Sequence, residues 1–342
     1  MRRWLVMAAL LLTMGAALPA WAGDAADCSD AGRVLIKTDP ARVLSACRRL
    51  ADHGDAIGEL NLGVMYRDGK GVPQDYASAL IWFRKAAGQG QPDAQYNLGV
   101  EYDLGDAVVQ DYTEAAKWYR KAADQGYAAA QFNLGVMYQN GEGVPQDYGT
   151  AMAWYRKAAD QGYAAAQFAL GLMYGNGKGV LQDYTMAVTW YRKAANQGYA
   201  DAQYNLGVMY RDGKGVPQDY ASALTWFRKA ADQGAARAQF NLGAMYQHGE
   251  GVPQDYAKAV TWYRKAADQR LAAAQFNLGV LYGKGEGVSQ DYVLAHMWFG
   301  LAAAQGYADA VKARDWLAAR MTPDQIAKAQ ALAAAWKPTT SQ

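Results

Sequence analysis

The sequence predicts an all-α protein made of seven 36-residue helical hairpins in tandem, with a helical cap at each end, and three observations carry the prediction. The dipeptide Asp-Tyr recurs at Asp75-Tyr76, Asp111-Tyr112, Asp147-Tyr148, Asp183-Tyr184, Asp219-Tyr220, Asp255-Tyr256 and Asp291-Tyr292, each 36 residues after the last. Leu-Gly keeps the same period from Leu62-Gly63 to Leu278-Gly279, and residues 61–80 reappear letter for letter at 205–224. A fixed period held without insertion marks a repeat architecture, in which one unit cannot bury its apolar face alone and neighbours share a core.

From the N-terminus, residues 1–22 read as a secretory signal peptide. Arg2 and Arg3 are followed by an apolar run, which Pro19 and the small residues around Ala20-Trp21-Ala22 end before it could span a membrane. Cleavage is expected near Ala22. Asp27 precedes Cys28, where a lipid-anchored protein would carry a small residue, so the mature chain is expected to be soluble and periplasmic or secreted. Cys28 and Cys47 are the two cysteines of the chain. In an oxidising compartment they are expected to pair, closing a loop of about twenty residues worth about 3 kcal/mol in the chain-entropy model. Residues 23–56 form the expected N-terminal cap, and 39–56 align with the second helix of a unit, Cys47 falling where the repeats place Tyr or Phe.

Within one unit, taken from Asp93, residues Gln95, Leu98, Gly99 and Tyr102 stand at i, i+3, i+4 and i+7, one face of a first helix, A. A second helix, B, starts at Asp111, a residue suited to accept the free amides of a helix start, and repeats Ala115, Tyr119 and Ala122. Between them most copies carry Gly-x-Gly-Val-Pro, as at Gly69 to Pro73, where glycine permits positive φ and proline stops a helix. Gly126 is placed to end helix B. Gly99 and Ala115 leave nothing to hold the two helices apart, so they cross closely. Unit two departs from the pattern with Ala107 and Val109, unit four with Leu181 in the proline slot, and unit six with Arg270 in place of the terminating glycine.

These motifs resemble the Sel1-like repeat family, a branch of tetratricopeptide-type hairpins: Ala-x-x-x-Leu-Gly-x-x-Tyr in helix A, Gly-x-Gly-Val-x-x-Asp in the connection, and Ala-x-x-Trp-Tyr/Phe-x-Lys-Ala-Ala-x-Gln-Gly in helix B. The resemblance covers residues 57–308. It implies a right-handed α-solenoid, with helix A turned toward an inner, concave wall. Residues 309–342 resemble the tail of many bacterial relatives. There Thr322 and Gln325 form a capping box, Pro323 takes the first helical position, and Ile326, Ala329 and Leu332 offer an apolar face.

The charge balance argues against a basic nucleic-acid binder: 34 basic side chains, two of them Arg2 and Arg3 in the leader, stand against 32 acidic ones. Catalytic and cofactor motifs are not found. His53, His248 (in a connection) and His296 (in the last helix B) have no metal-ligand neighbours at useful spacing, no serine stands in a nucleophile motif, and no Gly-Lys is followed by Ser or Thr. The Arg-Lys doublets late in helix B, such as Arg120-Lys121, suit the negative end of a helix. The recurring Trp82 to Trp298 reads as packing. A clamp for a terminal carboxylate would need Asn where the chain has Val100, Val136, Leu172 and Val208.

One stripe remains on helix A beside the core face. Its first position reads Tyr96, Phe132, Phe168, Tyr204, Phe240 and Phe276, with Val100 one turn on and varied residues such as Asp103 and Arg211 at the edge. Two readings stand: a groove for a protein or peptide segment, or plugs that only join neighbouring units. The expected function is a non-catalytic protein-interaction scaffold of the bacterial cell envelope, with no cofactor, no metal and no nucleic-acid partner. The competing class is an envelope enzyme of the β-lactam-binding or hydrolysing type associated with cysteine-rich relatives, whose cysteine pair in each repeat this chain lacks.

Overall fold

The computed structural model describes residues 21–29 and 38–339, and among these it contains eighteen α-helices and no strand. Residues 1–20 of the expected leader lie outside the described residues. The chain divides into two compact units, the first ending at Gln161 and the second starting at Gly162. In the first, cap helices Trp21–Cys28 and Pro40–Asp52 precede hairpins one to three: Ala56–Asp68 with Tyr76–Gly88, Pro92–Leu104 with Tyr112–Asp124, and Ala128–Asn140 with Tyr148–Asp160. The second holds hairpins four to seven: Ala164–Asn176 with Tyr184–Asn196, Ala200–Asp212 with Tyr220–Asp232, Ala236–His248 with Tyr256–Asp268, and Ala272–Lys284 with Tyr292–Ala304. Cap helices Ala308–Ala318 and Pro323–Ala335 follow. The fold is thus the expected all-helical repeat of seven hairpins. His248 closes a helix A rather than lying in the connection, because the glycine that ends the helix is its neighbour, Gly249.

Each boundary has a local cause. Helix B begins behind an aspartate whose carboxylate accepts from the first free amides, as Asp111 does from Thr113 and Glu114 at 2.9 and 3.0 Å. Helix A ends where a glycine turns left-handed, for example Gly249 at φ 74°. In the connection the amide of Asp255 donates to the Tyr246 carbonyl at 2.8 Å, and the Gln254 amide to the Gln247 carbonyl at 2.8 Å, so the loop is tied to the helix it leaves.

The second connection glycine has a packing role too. A Cβ on Gly143 would lie 2.1 Å from the Tyr112 carbonyl oxygen of the preceding hairpin. Ala107 occupies that slot in hairpin two and does not take a positive φ, so this loop follows a different path. Arg270 keeps the left-handed turn of the glycine it replaces, at φ 66°, alone among the non-glycine described residues. That conformation strains an L-residue, so Arg270→Gly is expected to raise stability by about 0.5–1 kcal/mol, read as a higher urea midpoint. An unchanged midpoint would show the strain to be relieved elsewhere.

Cores form where small residues let the helices touch. Helix A contributes Leu and Met, helix B contributes Ala and a ring: Leu134, Met137, Ala151 and Tyr155 are each at most 2% exposed. Helix B of one hairpin then packs on helix A of the next within each unit. In the N-terminal cap, Cys28 and Cys47 are paired as a disulfide with Cα atoms 5.0 Å apart. Two ion pairs reinforce it: Arg49 with Asp24 and Arg42 with Asp27, at 2.9 and 2.8 Å. At the other end Thr322 and Gln325 form the expected capping box. The apolar face of that last helix differs from expectation. Leu332 is exposed, and Ala333 and Trp336 pack on the core beside buried Ala329 instead, because they lie four and seven residues on from it, one and two helical turns along. Trp336 meets Trp298 edge-on, centroids 6.2 Å apart.

Candidate functional site

The helix-A aromatics are half-buried, and each ring rests on the helix-B ring of its own hairpin. In the first unit Tyr96 lies 5.7 Å from Tyr119 and Phe132 lies 5.6 Å from Tyr155, centroid to centroid. In the second, Phe168–Tyr191, Tyr204–Phe227, Phe240–Tyr263 and Phe276–Phe299 repeat the pair at 5.5–5.8 Å. The sequence dictates this. Gly99 and its equivalents admit the helix-B ring into contact with helix A, and the residue three positions before that glycine covers the ring's outer side. Some aromatics also touch the residue that opens the next helix A, as Phe168 does Tyr199 and Phe276 does Tyr307, at 5.2 and 5.3 Å. Tilted pairs of this kind add about 0.5–1.5 kcal/mol beyond area burial. Each ring is therefore anchored on the helix-B ring of its own hairpin and stands beside Val100 or its equivalent, also half-buried.

The varied residues at the edge are engaged within the protein. Asp103 accepts from the Tyr119 hydroxyl at 3.0 Å, and Gln247 from that of Tyr263 at 2.7 Å. Burial pushes the Tyr119 phenol well up, Asp103 adding to it, and lifts that of Tyr191 to about 12. Where helix B carries Phe227, which has no hydroxyl, the position is Arg211. It donates to Asn241 of the next hairpin at 2.6 Å and pairs with Asp212 at 2.7 Å. At Asp103, Gln139 and Gln247 the edge residue is matched to the hydroxyl of the ring beneath, whereas Gly175 and Gly283 bring no side chain to it.

The Arg-Lys doublets are fasteners rather than helix-end charges alone. Each Lys lies over the tryptophan three residues before it, as Lys121 does on Trp118 at 3.7 Å and Lys193 on Trp190 at 3.9 Å. The Arg reaches the next hairpin, Arg228 donating to the Tyr246 hydroxyl at 2.7 Å and Arg192 to that of Tyr210 at 2.9 Å.

A buried glutamine ladder escaped sequence reasoning. Gln203 of helix A, 4% exposed, donates to the Ala195 carbonyl at 3.1 Å. It accepts from Gln233, at the end of its own hairpin, at 2.8 Å, and Gln233 also donates to the Gly198 carbonyl of the preceding turn. Gln239 with Gln269, and Gln95 with Gln125, do the same. A constant separation of 30 residues between paired glutamines is the signal that could have found it.

A family model for the Sel1 repeat matches residues 56–91, 92–127, 128–163, 164–199, 200–234, 236–271 and 272–307. The chain belongs to the Sel1 repeat family. Among solved structures it is similar to a Sel1 repeat protein from Oxalobacter formigenes, at 32% identity over 71% of this chain and 96% of that one, with a TM-score of 0.63. It is also similar to a protective antigen of uropathogenic Escherichia coli strains displaying an SLR fold, at 32% identity over 86% of each chain and a TM-score of 0.52. Comparison with curated proteins returns no significant match. The Sel1 repeat is a hairpin used commonly as a protein-interaction scaffold, and that coarse role fits this chain.

Within these Sel1 repeats one residue breaks the core pattern unannounced. Glu101 occupies the slot that holds Met65, Met137, Met173, Met209 and Met245 elsewhere, is 3% exposed, and has no donor for its Oε2. Burial pushes its carboxyl up, Asp106 adds to the rise and Arg67 opposes it. His53 contacts the Arg49 carbonyl at 2.6 Å, His248 is exposed, and His296 is buried in the last repeat. Among the described residues no helix is long and apolar enough to cross a membrane.

Proposed function

We propose that this Sel1 repeat protein is a non-catalytic interaction scaffold of the bacterial cell envelope that takes an extended or helical partner segment on its helix-A face. One observation supports the reading: in hairpin after hairpin a half-buried aromatic, Tyr96 through Phe276, rests tilted on a buried ring and so is held rigidly with an apolar neighbour beside it. Rigid aromatic anchors lose little entropy on binding and dominate interface energetics. With Asp103 and Arg211 engaged internally, affinity on this reading comes from shape and apolar contact, and the edge residues act by holding the anchors. Export is supported by the leader pattern of residues 1–22 and by the Cys28–Cys47 pair.

The test is photo-crosslinking in intact cells with a reactive aromatic at Phe168 or Phe240, against Thr189 and Thr225 on the exposed side of helix B. One partner, recovered from the helix-A positions and not from helix B, is the expected result. Phe168→Ala combined with Phe240→Ala is expected to weaken binding of that partner, measured by calorimetry, more than it lowers folding stability. Equal loss of both would return these rings to a packing role. Nitrocefin turnover by the purified chain would replace the scaffold by an enzyme.

A further inference from the structure

Helix B of the seventh repeat lacks residues that serve the other six. The basic doublet of Arg84-Lys85 to Arg264-Lys265 is Gly300-Leu301 there, and the apolar residue of Leu80, Ala116, Met152, Val188, Leu224 and Val260 is His296. With no lysine of its own helix to lie over it, Trp298 is covered by the end of the chain. Ala329, Ala333 and Trp336 share one cluster with Met297, Trp298 and Leu301, and Trp336 meets Trp298 edge-on. Beyond it the Thr339 amide donates to the Asp268 carbonyl of the sixth repeat at 2.8 Å. The last helix, Pro323–Ala335, and residues 336–339 therefore form a strap across helix B of the seventh repeat to the end of helix B of the sixth.

This strap is lightly held. Within its helix Ala329 alone is buried, whereas the cap helix Ala308–Ala318 buries Ala310 and Leu317. It packs on helix B of the seventh repeat and not across Ala308–Ala318. A cavity of about 420 Å³ separates the three helices, lined among others by His296, Gly300, Arg314, Asp315, Ile326 and Gln330. Few buried apolar contacts place a segment at the low end of local stability.

Beside the cavity His296 is 5% exposed. The charged groups that act on it are Arg314 and Asp315 of Ala308–Ala318, which pair with each other, Arg314 Nε donating to Asp315 at 2.9 Å. The residues that the strap turns into the cavity, Ile326, Ala329, Gln330 and Ala333, carry no charge, nor do Met297 and Gly300 of its own helix. Burial and then the Arg314 charge hold the His296 pKa below the ordinary histidine value, Asp315 opposing. The ring thus binds a proton more readily once the strap is off and water reaches it. The closed state is fully favoured above the ordinary histidine pKa of about 6.5 and loses ground as pH falls from there through the lowered value.

We propose that residues 323–339 are a proton-released strap: His296 takes up a proton from solvent, the last helix lifts off, and Met297, Trp298 and Leu301 are uncovered. Ala308–Ala318 stays docked, because Leu317 is buried in a separate cluster with Ala295 and Phe299.

Hydrogen–deuterium exchange on the mature chain at about pH 7.5 and about pH 5, corrected for the intrinsic pH dependence of exchange, tests this. Protection of residues 323–335 is expected to fall on acidification, by up to about tenfold per pH unit, the limit for one proton. Residues 308–318 are expected to keep theirs. His296→Leu restores the residue type of Leu80 and Leu224, so it folds, and it is expected to keep the strap closed at both pH values. Trp336→Ala is expected to open it at both. NMR titration is expected to place the His296 ring below the free-histidine value. Protection unchanged by pH or by Trp336→Ala, a loss shared equally by 308–318, a loss that persists in His296→Leu, or an ordinary His296 titration would each overturn the proposal.

Discussion

Gly135→Leu is expected to destabilise the first unit by about 1–3 kcal/mol through overpacking. Even a bare Cβ at 135 would lie 2.6 Å from both Cδ1 and Cε1 of Tyr155 and 3.2 Å from the Ala151 carbonyl. Tyr155 cannot swing away: it is 1% exposed, its hydroxyl donates to Gln139 at 3.2 Å, and Phe132 covers its outer side. Ala151→Leu meets the same crossing from the other helix and is expected to lose a similar amount. Gly283 provides the contrast. It lies in a helix A where the nearest atom to an added Cβ is Ala295 Cβ at 3.8 Å. Gly283→Ala is therefore expected to gain about 0.5–1 kcal/mol from helix propensity alone. Urea melts read both; a loss at Gly283 as large as at Gly135 would sink the close-crossing account.

Glu101→Met is expected to stabilise the protein by about 1–3 kcal/mol at neutral pH, because it removes a buried carboxyl whose Oε2 lacks a donor. The sign with pH follows from the raised carboxyl. A group whose folded pKa lies above its unfolded value favours the folded state below the unfolded pKa, and that contribution is lost as pH rises through the folded pKa. Native stability should therefore fall between the ordinary glutamate range and neutrality by an amount that Glu101→Met abolishes. Melts of both proteins at about pH 4 and about pH 7 measure this; a gain equal at both pH values would assign the effect to packing and not to ionisation.

The hairpins were legible because their determinants are local. Asp111 caps the helix that starts at the next residue, Gly249 turns left-handed on its own account, and Thr322 with Gln325 closes a box within one turn. The Leu332 face was misjudged because a helical face drifts, and one residue decides which side chain points inward. The contacts that join repeats were not read, since their partners lie 18, 30 or 35 residues apart, as Arg228 to Tyr246, Gln233 to Gln203 and Gln233 to Gly198 do. Those separations recur in the sequence as surely as Asp-Tyr does. Periodicity alone, however, does not say that residues a fixed distance apart touch. For the candidate face, the aromatic stripe was visible. The ring under each aromatic, and the internal bonds of Asp103 and Arg211, were not.

By itself, then, the sequence determined the helical hairpin, its period, the small residues at its crossing and the cysteine pair of its cap, because each depends on residues within a few turns of one another. Only the tertiary structure decided that Glu101 is buried with its Oε2 lacking a donor, that Asp103, Gln139 and Gln247 are tied to the rings beneath them, and that His296, Gly300 and Arg314-Asp315 converge on one cavity. The physical reason is packing: whether a polar group finds water, a partner or neither depends on which helices close over it, and that is settled between helices and not along them.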